Sequence, residues 1–444
     1  MDLLLAFIVF IAVMMLCLWQ GITVVLALAV GFVAFACVGI HRGYKLQDIL
    51  KMSWQGAYDA RIVIVIMALI GCITASWRVS GTITIFVYYG MKLIQPHLFV
   101  IIAFLMSTLM SYALGSSFGV TGTLGVIFMA IARSGDANLM VTAGAILSGA
   151  VFGDRSSPMS SAANLAAAIT DSKIYDNVKL MVKGVVPPLL LATLLYAICS
   201  YLYPIRSVDE VIVRQFEEAF NLSPIAFLPA ILILLLPAFK IDLTKAMVAS
   251  LATAILIAVF VQGVPIGQTL LYCIAGYTSP SEGLGAILNG GGLRSMAEVL
   301  VILVISCGYS RIFTETHMLD AVQDKITSIS RKIGRFNVLM LLSFATCGLF
   351  CNQTIATLMC NDLMGKPYRD MGADGTELAV DMGNSTLVSV FLVPWTIGAI
   401  VPLQFLGVTF AGAMPYAFLV YLIPLYFLVV NEIKRRRALG KGEL

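Results

Sequence analysis

Charge is what this sequence has least of. Asp, Glu, Lys and Arg make up 12% of its 444 residues, against 60% hydrophobic, where soluble domains carry roughly 25% charged residues. A water-soluble fold could not hide this much apolar surface, so a soluble enzyme is excluded. Histidine is scarcer still: His41, His97 and His317 lie too far apart in sequence to suggest a metal or catalytic cluster. The nine cysteines are scattered singly, mostly inside apolar runs. The closest group, Cys347 and Cys351, has no histidine near it and reads as two small helix residues. No cofactor is expected. No acidic or carbonyl filter repeat is visible, which argues against a channel. No sizeable soluble stretch is present, which argues against a membrane sensor or scaffold. The first segment, Asp2 to about Trp19, lacks a basic start and a clear small-residue cleavage site. It reads as a retained helix and not as a signal peptide. The net charge of +4 sits in short loops and at the tail, and gives no reason to expect nucleic acid.

What the sequence does have is apolar runs of roughly 17–25 residues, the length an α-helix needs to cross a bilayer. Backbone polar groups in lipid must be satisfied internally, so the runs read as helices; they lack the two-residue alternation of a transmembrane barrel. Among the candidate spans are 61–78, 97–113, 119–132, 138–152, 297–314, 338–357, 385–403 and 408–429. The tail Lys434-Arg435-Arg436-Arg437, the stretch Lys325 to Arg335 and the loop His41 to Lys51 are basic, which places them in the cytoplasm. Arg206 to Glu218 is net acidic and reads as external, as does Asp362 to Asp381. The 61–78 segment then runs from inside to outside and 297–314 from outside to inside. A full crossing at 385–403 would leave the last helix on the wrong side. A broken or re-entrant segment near it resolves the clash, and such segments are tolerated where they are buried in protein or line a cavity.

A weak internal repeat accompanies this topology. Met67 to Cys72 faces Leu303 to Gly308, and about 236 positions on from Gly115-Ser116-Ser117 the chain reads Cys351-Asn352-Gln353-Thr354. Asp154 is similarly echoed by Asp381. Opposed orientations make the repeat inverted, the arrangement that suits alternating access. The expected organisation is N-terminal helices over 1–50, a first repeat over 51–203 and a linking external loop and helices over 204–285. A second repeat over 286–430 and a basic cytoplasmic tail over 431–444 follow. The fold class is an all-α polytopic membrane protein with inverted repeats and broken or re-entrant helices.

Polar residues where lipid should be supply the chemistry. The densest string runs from Gly153 through Asp154, Arg155, Ser156, Ser157, Pro158, Met159, Ser160 and Ser161 to Asn164, between two apolar stretches. Pro158 lacks an N–H and Gly153 permits tight geometry, so a helix break is expected. Freed carbonyls, the Ser157 and Ser160 hydroxyls and the Asp154 carboxylate would offer sodium hard oxygens. The bland reading is a polar loop capping a helix. Arg155 either neutralises Asp154 or attracts an anionic substrate. A second string, Gly115-Ser116-Ser117 to Thr121-Gly122-Thr123, reads as an unwound stretch or as helix packing. In the second half, Asn352, Gln353 and Thr354 have no easy partner in hydrocarbon and should face protein or a cavity. Asp381, Asn384, Thr386 and Thr396 complete that set. Asp381 could equally close an external loop. His317 is either a proton-sensitive group or a helix end.

These residues resemble the NhaC sodium/proton antiporter family, within a larger ion-transporter superfamily, over almost the whole chain. The likeness rests on Ser80-Gly81-Thr82, Tyr89-Gly90, Pro96, the string Gly115 to Gly125, Ser148 to Asp154, Ser157-Pro158-Met159-Ser160, Pro394-Trp395 and Leu406-Gly407-Val408. Two departures stand out. The commoner family form resembles a Gly-Asp-Lys-x-Ser-Pro-Leu-Ser-Asp-Thr-Thr-Asn run, and this chain has Ser161-Ala162-Ala163-Asn164 at its end. The second half has Asn352-Gln353-Thr354 and Asp381-Met382-Gly383-Asn384 where that form resembles Ser-Arg-x-Leu-Glu-Asp. The chain therefore looks closer to a less-characterised branch. The resemblance implies a sodium/proton antiporter of the cell inner membrane with both termini cytoplasmic, and a homodimer. Some relatives exchange organic acids or move amino acids with sodium. In the antiport reading Asp154 binds sodium from one side and a proton from the other. In the alternative, sodium occupies the breaks at Asp154 and Asn164, and a small organic solute contacts Ser116, Ser117, Asn352, Gln353 and Thr354.

Overall fold

The structure, a computed structural model, describes residues 2–20, 22–59, 61–93, 95–205, 210–239, 241–316 and 323–441. His317 lies outside them. The described chain is built of helices, as its long apolar runs require. Six helices are long and apolar enough to cross a membrane, or up to nine if each bent pair is one span. This is a multi-pass membrane protein.

Two sets of helices carry the architecture. The first comprises α1 (Arg61–Val79), α2 (Phe99–Leu114), α3 (Ser117–Ser134), α4 (Leu139–Ser156), α5 (Ser161–Ile169) and α6 (Ile174–Leu202). The second comprises α7 (Ala297–Glu315), α8 (Arg335–Phe350), α9 (Gln353–Asp370), α10 (Gly375–Leu392), α11 (Ile397–Leu406) and α12 (Phe418–Lys441). Adding 236 to the bounds of α1, α2, α3 and α4 gives those of α7, α8, α9 and α10 without a gap: 61 + 236 = 297 and 156 + 236 = 392. The same shift carries the start of α5 to that of α11.

Backbone exceptions obey the same register. Gly115, at φ 65°, ends α2, and Cys351, at φ 55°, ends α8. Asp136 (φ 49°) pairs with Gly372 (φ 73°), and Asp171 (φ 52°) with Gly407 (φ 67°). Cys351, Asp136 and Asp171 are all the non-glycine residues with positive φ among those described. Each therefore sits in left-handed backbone because its copy of the motif demands it, with glycine at the twin position. Caps repeat as well. Asn138 and Asp374 accept from the first-turn N–H groups of α4 and α10, and Ser160 and Thr396 from those of α5 and α11.

Packing between the two sets is reciprocal. α5 packs on α9 and α10, and α11 packs on α3 and α4; α6 meets α10, and α12 meets α4. A two-fold relation imposes such pairing on any two copies. Within the first set, α2 and α4 run side by side through glycines. A Cβ at Gly149 would lie 2.7 Å from the Phe104 carbonyl oxygen, and one at Gly153 would collide with the Ser111 backbone. The small residues let the two backbones touch.

Two sequence-based spans need correction. The segment 338–357 runs across the interruption at Cys351–Asn352. The segment 385–403 runs across another at Val393–Thr396, where α10 and α11 are bent by 57°. The latter is a broken or re-entrant element of the kind the topology called for.

Candidate functional site

Each repeat contains two interruptions set against each other. In the first, Gly115 and Ser116 separate α2 from α3, and Ser157 to Ser160 separate α4 from α5. A Cβ at Gly115 would collide with the Met159 carbonyl carbon and the Ser160 nitrogen. In the second, the Cys351 carbonyl accepts from the Ile397 N–H at 2.9 Å, so that pair of breaks is joined by backbone.

Asp154 occupies the last turn of α4 and is buried, with 8% of its surface exposed. Its carboxylate receives one hydrogen bond from each repeat. Oδ1 accepts from the Ser117 backbone N–H, at the start of α3, at 3.2 Å. Oδ2 accepts from Gln353 Nε2, at the start of α9, at 3.0 Å. Ser117 and Gln353 are twin positions, since 117 + 236 = 353. Helix starts present free N–H groups and a partial positive charge, so both broken helices direct favourable potential at one carboxylate. Two donors leave part of its acceptor capacity open.

The register corrects one sequence-based pairing. The twin of Asp154 is Val390, since 154 + 236 = 390, and not Asp381. Val390 is buried and apolar. Asp381 lies nine residues earlier on α10, about 13 Å along the helix axis, where its Oδ2 accepts from the Tyr368 hydroxyl at 2.8 Å. Its spacing from Asp154 in sequence resembled the repeat interval without matching it.

Most of the expected hydroxyls serve the breaks themselves. Ser157 donates to the Tyr112 carbonyl at 2.6 Å, and Ser160 donates to the Asp154 carbonyl. Asn164, exposed, donates to the carbonyls of Pro158 at 2.9 Å and Ser160 at 2.7 Å. Freed carbonyls in a low-dielectric interior must be paired, and the nearest side chains do it. Ser116 caps α3 by accepting from Gly119 N–H, and Asn352 caps α9 by accepting from Thr354 N–H. Thr396 donates to the Val390 carbonyl, as its twin Ser160 does to Asp154. The unwinding expected up to Thr123 is confined to Gly115–Ser116. Thr121 bonds back to the Ser117 carbonyl at 2.8 Å inside α3, beside a π-helical turn at Thr121–Gly125. Thr386 bonds to Ser343 at 2.7 Å, and Thr354 is exposed.

Arg155 goes the other way from Asp154. It is fully buried; Nη1 donates to Asn384 Oδ1 at 2.5 Å and Nη2 to the Met181 carbonyl at 3.0 Å. The guanidinium thus joins α4 and α6 to α10. Its acceptors are neutral, so it does not neutralise Asp154 through an ion pair. Two partners escaped sequence reasoning: the Leu387 carbonyl, which accepts from Gln353 Nε2 at 3.0 Å, and the Met181 carbonyl. Backbone acceptors leave no mark in the residue alphabet.

A family model for the Na+/H+ antiporter family matches residues 149–430, more than half of the chain. The chain belongs to the Na+/H+ antiporter family. Among characterised antiporters it is 24% identical over 411 residues to the Na(+)/H(+) antiporter NhaC of Bacillus subtilis (strain 168), covering 91% of each chain. It is also 24% identical over 401 residues to the Malate-2H(+)/Na(+)-lactate antiporter of the same strain, covering 89% of this chain and 86% of that one. With the Arginine/ornithine antiporter ArcD of Halobacterium salinarum it shares 24% identity over 381 residues, 83% of this chain and 78% of the other. The matched segment of this antiporter-family chain begins at Gly149, just before Asp154, and takes in the whole second set of helices through Leu406. Both sides of the Asp154–Gln353 contact therefore lie within it.

Proposed function

We propose that the protein exchanges sodium for protons across the cell inner membrane, with Asp154 as the site the two cations share. The observation that carries this reading is the position of that carboxylate: buried, and held by the starts of both broken helices. A group bonded to both repeats feels any movement of one against the other. A sodium ion or a proton neutralises the carboxylate, and one excludes the other. The two-fold relation, with its axis in the membrane plane, lets the site face either side in turn. The termini are placed in the cytoplasm by the basic loops and tail. The protein acts as a transporter and not as an enzyme.

The test uses purified protein in liposomes with a pH-sensitive dye inside. An imposed sodium gradient moves protons in the wild type, and Asp154→Asn is silent. Absence of proton movement in folded wild-type protein removes the antiport reading.

A second reading, exchange of a small organic solute, is favoured by one feature. Asn352 and Gln353 are only half-buried and Thr354 is exposed at the second break, so uncharged polar groups are accessible there. The malate/lactate and arginine/ornithine relatives support it by name. Sodium-driven uptake of amino and carboxylic acids into the same vesicles distinguishes the two.

A further inference from the structure

An exchanger must do more than bind its cargo. Its empty form must not change sides, because an empty crossing lets sodium run down its gradient with nothing returned. Something in the fold has to recognise the empty site and hold it.

Gln353 is placed to do so. Its Nε2 donates to two acceptors at once: Asp154 Oδ2 at 3.0 Å and the Leu387 carbonyl at 3.0 Å. A carboxylate and a carbonyl can only accept, so the amide must present its NH2 end to both. Leu387 lies on α10, so the amide is anchored within the second repeat while it grips the first. This arrangement needs an ionised carboxylate with no cation on it. A cation on Asp154 repels the NH2 end. A proton on Oδ2 turns that oxygen into a donor, which the NH2 end cannot meet. In either case the amide rotates, its carbonyl oxygen turns to the ion or the proton, and the Leu387 carbonyl loses its donor. Both cargoes therefore undo the same pair of bonds.

We infer that Gln353 is the residue that makes exchange obligatory: its amide ties Asp154 to α10 when the site is empty and releases it when sodium or a proton is bound. This rests on the antiport reading above. The twin residue Ser117 cannot share the task, because its contact with Asp154 is a backbone N–H that no rotation can invert. Arg155 cannot either, because its acceptors on Asn384 and Met181 are not cargo-binding groups. One residue of the four contacts across this layer is thus sensitive to occupancy.

The experiment compares radioactive sodium efflux from proteoliposomes into sodium-containing and sodium-free alkaline medium, with the membrane potential clamped and sodium saturating inside. Wild-type efflux is fast into sodium and slow into sodium-free medium. Gln353→Leu removes both bonds, and Gln353→Met keeps the chain length while removing only the amide. In each, sodium-free efflux rises about tenfold relative to the exchange rate, the order set by losing one hydrogen bond to a charged group. A purely structural role would lower both fluxes together and leave their ratio unchanged. An unchanged ratio in both variants overturns the inference, and so does loss of sodium–sodium exchange in both while the protein remains folded. Failure of the wild type to move protons with sodium is a separate outcome, and it removes the antiport reading itself.

Discussion

The two breaks of the first repeat and the two of the second have the same backbone and different chemistry. Left-handed residues, caps and helix bounds fall 236 positions apart. At the centre the copies part: Asp154 in one, Val390 in the other; Ser117 in one, Gln353 in the other. A shared scaffold supplies two equivalent helix starts, and one side-chain difference decides which of them carries charge. Symmetry here serves the movement, and its local failure serves the binding.

The comparison can be broken in several ways. The largest effect is expected from Asp154→Asn, which removes the exchanged charge and abolishes sodium-dependent proton movement in the liposome assay. Moving the carboxylate across the axis, as Asp154→Asn with Val390→Asp, leaves the protein inactive in the same assay. The new carboxylate would need a long amide at position 117, and Ser117 is too short to reach. Recovery of transport in that double variant would show that position on the scaffold suffices. Next in size is Gly153→Ala. A Cβ there drives into the Ser111 backbone, and forcing α2 from α4 costs about 3 kcal/mol; a lowered thermal midpoint of the detergent-solubilised protein measures it. The smallest effect is Asp171→Gly, which gives the first repeat the residue the second already has at Gly407. Asp171 is exposed at φ 52°, so relief of left-handed backbone raises stability by about 1 kcal/mol. The reverse change, Gly407→Asp, lowers it, because a Cβ there would lie 2.6 Å from Arg133 Nη2.

Much of the layout was legible in the residues. Apolar runs gave the membrane class, the Gly115 and Pro158 neighbourhoods gave two of the breaks, and the interval near 236 was visible between Gly115 and Cys351. Asp154 stood out as a carboxylate between apolar stretches. The tying of Ser157, Ser160 and Asn164 to backbone carbonyls was not legible. Hydroxyls and amides announce that they will bond, and their type does not say to what. Asp381 was misplaced as the twin of Asp154 because one acidic residue per half looks like a repeat. Only the caps and left-handed residues fix the count at Val390.

The sequence by itself determined that this chain lives in a membrane, that its helices are interrupted where Gly, Pro, Ser and Asn cluster, and that Asp154 is costly to bury without a purpose. Those facts follow from local chemistry: hydropathy, missing N–H groups and permitted φ. The tertiary structure alone decided that Asp154 meets Gln353, 199 positions away, that Arg155 reaches Asn384 instead, and that Leu387 anchors the amide through its carbonyl. Such contacts depend on how two helical repeats cross. That crossing is set by close backbone packing at residues such as Gly149 and Gly153, whose partners no local pattern names.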